Sequence, residues 1–181
     1  LTYIARNEAN RAIPIVTELM NLGPTNPQVL EAAGRTYSAL NDHTSAVSVY
    51  RRLVTATSRS APAIYLLARA EIAAGERATA RGTLDDAISA DRQFVPALRD
   101  RLALEREMNG LEAAVAIAQR FRRDNATSAL PDILLGDMLA AAGQLDSALQ
   151  AYEAGVPKGP SAEAVAKAFE TRIRLNRQDE A

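Results

Sequence analysis

Small and large apolar residues along this chain recur with a single period. Alanine occupies 46, 80, 114 and 148, each 34 residues after the last, and Ala12 lies one further step upstream. A fixed period near 34 is the mark of stacked two-helix units. With each alanine at the twentieth slot of a unit, the units run 27–60, 61–94, 95–128 and 129–162. A partial unit, 1–26, precedes them and another, 163–181, follows. The eighth slot then holds Gly34, Ala68, Leu102 and Gly136, and the twenty-fourth holds Tyr50, Leu84, Ala118 and Tyr152. The twenty-seventh holds Leu53, Ala87, Phe121 and Gly155. Small residues at eight and twenty let the two helices of a unit approach closely. Large ones at twenty-four and twenty-seven are expected to fill the seam to the next unit. Asn41, Gly75, Asn109 and Gly143 share the fifteenth slot, where Gly or Asn tolerates the left-handed backbone that ends a helix.

The spacing predicts first helices over 27–40, 61–74, 95–108, 129–142 and 162–176, and second helices over 10–22, 44–57, 78–90, 112–124 and 146–156. Pro62 and Pro96 fall in a first helical turn, where a missing N–H costs nothing. Pro131 comes one residue late, so that Ile133 replaces the large residue expected at Asp132. Pro14 lies early in a second helix and is expected to bend rather than break it. Gly155, Pro157, Gly159 and Pro160 are expected to end the 146–156 helix early. Unit 95–128 departs most from the pattern, with Arg101 and Glu105 where apolar residues belong. Three readings stay open for this pair. A tilted helix could turn both to solvent while Leu98, Leu102 and Met108 pack; the two could form a buried ion pair that sets local curvature; or they could serve a ligand site.

These slots resemble the tetratricopeptide repeat (TPR) family over essentially the whole chain. The best copy runs Leu135-Gly136 through Leu139, Gly143, Ala148, Tyr152 and Pro160. The resemblance implies an all-α fold, a right-handed α-solenoid of antiparallel helix pairs forming a TPR superhelix. It also implies that the first helices line a concave groove. Their fifth and ninth slots are Glu31 and Arg35, Tyr65 and Arg69, Arg99 and Ala103, Ile133 and Asp137, Lys167 and Thr171. The twelfth adds Ser38, Ile72, Arg106, Ala140 and Arg174. Arg35, Arg69, Arg99 and Arg106 form a row, with Tyr65 and Ile72 as an apolar spot, and these six are the candidate binding residues. Arginine's forked donors suit an extended anionic or carboxylate-bearing partner. The alternative is that the arginines are solvated or paired locally, as Glu31 with Arg35.

Composition narrows the chemistry. Hydrophobic residues make up 48% and aromatics only 4%, so helices must pack through Ala and Leu at close range. A net charge of -1 supplies no overall basic field for nucleic acid. Cysteine is absent, which removes disulfides and thiolate metal sites. No apolar run is long enough to span a bilayer. His43 is the only histidine, at a turn, and reads as a packing or solvated residue rather than a catalyst. Asp85-Asp86 point to different faces, and Glu105 and Glu107 do not face one another on a helix, so both pairs read as solvated. Asn125-Ala126-Thr127 fits a glycosylation sequon, but a helix-cap role is the expected one. The chain therefore reads as no enzyme, without catalytic residue, metal or cofactor.

The C-terminal half resembles one TPR group in particular, the TPR-repeat lipoproteins of PEP-CTERM/exosortase loci beside exopolysaccharide genes. The residues behind this are Leu130 to Tyr152, Phe94-Val95-Pro96-Ala97-Leu98 and 177–181. It implies a periplasmic or cell-envelope protein supporting polysaccharide export or protein sorting. The expected function is a scaffold or adaptor holding a protein or peptide along the groove, with an envelope component contacting anionic polysaccharide as the alternative. The chain starts and stops inside a repeat and reads as a piece of a longer protein. Apolar surface is expected at both ends, from Tyr3 and Ile4 and from Phe169 and Ile173. These ends could meet a partner or a second copy.

Overall fold

The computed structural model describes residues 9–158 and 161–175. Among them are ten α-helices, one 3-10 turn and no strand. The helices are α1 Ala9–Leu22, α2 Pro27–Ala39, α3 His43–Ala56, α4 Ala61–Ala73 and α5 Arg77–Ala90. They continue as α6 Val95–Asn109, α7 Leu111–Asp124, α8 Leu130–Ala141, α9 Leu145–Gly155 and α10 Ala162–Arg174. Each end lies within about two residues of the position the period predicts. Tyr3, Ile4, Gly159, Pro160 and 177–181 lie outside the described residues.

The ends are set by local chemistry. Asn26 caps α2 by accepting from the amides of Gln28 (3.0 Å) and Val29 (3.3 Å), and Pro27 follows at the first helical position. Asp42 and Ser161 cap α3 and α10 in the same way. Asn41, Gly75 and Gly143 take positive φ where the fifteenth slot predicts it. The exception is α6, which runs one residue longer. Asn109 stays helical, and Gly110 takes the left-handed position instead. Pro14 sits inside an unbroken α1. Gly155 ends α9, and the 3-10 turn Val156–Lys158 follows. Asn125 does act as a cap, closing α7 with its side-chain amide donating to the Phe121 carbonyl at 2.9 Å.

The helices fall into two compact units, 1–101 and 102–181. In the first, each of α1 to α5 packs on its neighbour in chain order. In the second, α7, α8, α9 and α10 pack in succession, and α8 also touches α10. Ala46, Ala80, Ala114 and Ala148 are fully buried. The tyrosines of the twenty-fourth slot lie near the next repeat, as with Lys167 at 5.9 Å from the Tyr152 ring centre, and they also fill the gap left by their own repeat's eighth slot. A Cβ added at Gly34 would overlap the ring of Tyr50, and one at Gly136 the ring of Tyr152. The sizes at these two slots are reciprocal. Ala68 goes with Leu84 and Leu102 with Ala118, and all four are buried. The summed volume is what the pair must keep, because a close-packed interior tolerates neither overlap nor void.

Charges enter this core at several points. Arg101 and Glu105 are each 6% exposed, which rules out the tilted, solvated arrangement and also corrects the reading of Glu105 as a solvated residue. Leu98 and Leu102 do pack, but Met108 is 38% exposed. Arg101 donates to Asp85 on α5 at 2.8 Å, and Glu105 accepts from the Asn109 amide at 2.7 Å. A buried ion is tolerable only with such partners. Asp85 and Asp86 do diverge, Asp86 accepting from Arg59 at 2.8 Å. Two buried carboxylates carry no sequence warning. Glu71 on α4 lies 3.8 Å from Arg51 on α3. Asp132 on α8 is fully buried, 2.6 Å from Lys158 and 3.5 Å from Arg122. It holds the slot that Leu30, Ile64 and Leu98 hold in the other units, and Ile133 is buried beside it rather than facing a groove.

Candidate functional site

Five of the six candidate residues, Arg35, Tyr65, Arg69, Ile72 and Arg99, lie in the first unit on successive first helices. Arg35 on α2 is exposed and ion-paired with Glu31 one turn before it. That pairing is the local alternative the spacing left open. Tyr65 and Arg69 follow on α4, also one turn apart, and the Arg69 guanidinium lies 6.0 Å from the Tyr65 ring centre, within cation–π range. Ile72 is half-buried on the same helix, and Arg99 is exposed on α6. Arg106 is exposed farther along α6 and belongs to the second unit. Neither Arg69 nor Arg99 has a carboxylate partner among the described residues, whereas Arg35 does.

Three further residues join this cluster. Tyr50 comes from α3, its ring held against Gly34, and its hydroxyl reaches Ser38 and feels the charges of both Arg35 and Arg69. Tyr65 donates its hydroxyl proton to Asp100 at 2.9 Å, which makes that phenol a satisfied donor. Phe94 meets the Tyr65 ring edge-on, at 5.4 Å between centres and 72° between planes. Tyr50 had a packing role in the repeat, and nothing in its slot announced that its buried hydroxyl would feel the charges of Arg35 and Arg69. Asp100 and Phe94 lie outside the slots that were considered.

The second unit uses the same frame with opposite charge. Tyr152, packed against Gly136, donates to Asp137 at 2.8 Å. Lys167 of the next first helix donates to the same carboxylate oxygen at 2.7 Å and sits 5.9 Å from the Tyr152 ring centre. Acid and base cancel at this point.

Tyr50, Tyr65 and Tyr152 are all pushed above the ordinary tyrosine value, in each case first by burial. For Tyr65 and Tyr152 the acidic acceptor adds to the rise. A raised folded value means that the unfolded chain releases its phenolic proton first. The stabilisation is therefore complete below pH of about 10 and is lost as pH climbs from there through the folded values. We expect these three tyrosines to resist ionisation until the chain unfolds in alkali, so that phenolate absorbance and loss of helix rise together. Smooth ionisation of all tyrosines near pH of about 10, with helix intact, would contradict this.

No group of three or more His, Cys, Asp or Glu among the described residues is placed to hold a metal, and no described helix is long and apolar enough to cross a membrane. His43 begins α3 and is half-buried. Exposed apolar residues gather on α1, at Ile15, Leu19 and Leu22, and on α10, at Val165, Phe169 and Ile173.

Residues 29–61 match the family model described as tetratricopeptide repeat. No curated protein sequence matches the chain. Solved structures match it in fold. The pilF protein of Pseudomonas aeruginosa superposes with a TM-score of 0.63 at 15% identity, over 99% of this chain and 82% of that one. A thermophilic TPR protein of Thermus thermophilus gives 0.55 at 19% identity over 98% and 93%. YrrB, described as a TPR protein with an unusual peptide-binding site, gives 0.55 at 15% identity over 93% and 87%. One tetratricopeptide repeat is thus matched at residues 29–61, and the chain shares the all-α helical repeat fold of these solved structures.

Proposed function

We propose that the chain is a non-catalytic scaffold whose first unit holds an extended, acid-bearing peptide segment of a partner across Arg35, Tyr65, Arg69 and Ile72. The observation that carries this is Arg69. Its guanidinium is exposed, lies near the face of Tyr65, and has no carboxylate partner among the described residues. An arginine held by its own helix neighbours and lacking an acid is ready to take one from outside, in a forked geometry that fits a carboxylate. Arg35 can exchange Glu31 for a ligand acid at little cost, since exposed pairs at this spacing contribute only about 0.3–0.5 kcal/mol. Tyr65, Phe94 and Ile72 supply the apolar contact beside it, the mixture of aromatic and arginine that dominates interface energetics. Arg99 extends the row on α6.

The test is charge reversal. Proteins retained by the immobilised chain are expected to be released when Arg35→Glu and Arg69→Glu are combined, with affinity reduced at least about tenfold, about 1.4 kcal/mol. Retention should also weaken as salt rises. Unchanged retention of every partner by the double variant would end this reading. The setting is proposed from sequence alone. The likeness of 130–152 to envelope lipoproteins supports a periplasmic or envelope location, with anionic polysaccharide as a second class of partner for the same arginines.

A further inference from the structure

Each junction between one unit's second helix and the next first helix has a crossing point. At three junctions an ion pair made from one shared slot of the second helix spans it. Arg51 on α3 reaches Glu71 on α4, Asp85 on α5 binds Arg101 on α6, and Glu153 on α9 binds Arg172 on α10. Arg51, Asp85 and Glu153 occupy the same slot of their units; at the α7–α8 junction that slot is Gln119, and the ion pair there, Arg122 with Asp132 at 3.5 Å, lies three residues farther along α7. Gln119 faces Leu135 and Leu139, which stand where Arg101 and Glu105 stand one unit earlier. With the charge at this slot replaced by an amide over leucines, the crease stays open. It forms a trough of 680 Å³ between α7 and α9, floored by α8 and lying wholly within the second unit.

We infer that this trough is a second recognition site, on different helices from the arginine cluster, for a short extended peptide with apolar residues at alternate positions, a basic end and an acidic end. Three features select that occupant. Leu135 and Leu139 are one helical turn apart, about 6 Å along α8, close to the roughly 6.7 Å between alternate side chains of an extended strand. Gln119, Gln144 and Gln150 line the walls. Each amide offers both a donor and an acceptor, which an extended backbone uses along its edges and a helix, with its backbone already paired, cannot. Glu112 and Arg122 lie at opposite ends of α7 in the same lining, ten residues or about 15 Å apart; Arg122 also lies 3.5 Å from the buried Asp132, and its side chain stays 40% exposed. That length accommodates about five extended residues and fixes their direction, basic end toward Glu112 and acidic end toward Arg122.

The probe is a fluorescently labelled, end-blocked peptide, Lys-Leu-Ser-Leu-Asp, titrated with the full chain and read by anisotropy. Saturable binding is expected below about 1 mM. Ala116→Trp and Ser147→Trp, exposed trough residues whose replacement fills the space without touching the core, should each weaken it at least tenfold. The charge-swapped peptide Asp-Leu-Ser-Leu-Lys should bind at least threefold more weakly, and Arg69→Glu should leave binding unchanged, which separates this site from the arginine cluster. Lack of saturation, equal binding by both tryptophan variants, or equal binding of the two peptides would overturn the inference. So would a concentration-dependent dimer abolished by Ala116→Trp, which would assign the trough to a second copy.

Discussion

Gly34→Leu will destabilise the first unit by about 3 kcal/mol, the upper end of what overpacking costs, because the added side chain must share space with the Tyr50 ring. Helix propensity runs the other way, favouring any replacement of a mid-helix glycine by nearly 1 kcal/mol, so a loss isolates the packing term. Tyr50→Ala alone removes a buried ring and should cost about 3–5 kcal/mol. Combined, the two recreate the pairing of Leu102 with Ala118 in the irregular unit. The double variant should therefore recover about 2–3 kcal/mol of the summed loss, a coupling at the high end for residues in contact. Gly82→Ala is the control. That glycine is helical with open space around it, and its replacement should stabilise by roughly 0.5–1 kcal/mol. Urea unfolding followed by circular dichroism reads all four. Strict additivity of Gly34→Leu and Tyr50→Ala would show that the two slots do not share one volume.

That reciprocity marks how far the repeat could be read from sequence. The period placed the helices because caps, turn glycines and buried alanines are local or strictly spaced, and each acts within one unit. Pairings across elements were less visible. The twenty-fourth slot varies from Tyr to Ala, and only its contact with the eighth explains the variation. Arg101 looked like a break in the pattern because its partner, Asp85, sits sixteen residues away on another helix. The arginine cluster was half legible. Arg35 and Arg69 share a slot, and their approach to one phenol follows from the period. Phe94 joins them from the turn before α6, and Asp100 from α6 itself at a slot not counted as facing the groove. The trough was not legible at all, since it arises where Gln119 takes a slot that elsewhere carries a charge paired to a different helix.

Asp132 gives the second test, because three charges of unequal burial meet there. Asp132 is fully buried, while Lys158 is 22% exposed and Arg122 more so. Removing the anion leaves cations that can reach water. Removing the lysine leaves a buried carboxylate whose one remaining counter-ion among the described residues, Arg122, is 3.5 Å away. The costs should therefore be asymmetric. Lys158→Met is expected to destabilise the second unit by about 3–5 kcal/mol, the range for stranding a buried charge. Asp132→Leu restores the apolar residue that Leu30, Ile64 and Leu98 provide in the same slot, and should range from neutral to stabilising by about 1–4 kcal/mol. Adding Asp132→Leu to Lys158→Met should then rescue most of the loss, since no anion is left to strand. Thermal unfolding would show the order directly, at about 2–4 °C per kcal/mol for a chain of this size. If Lys158→Met stays within about 0.5 kcal/mol of the native chain, the lysine does not neutralise Asp132, and Arg122 alone does so.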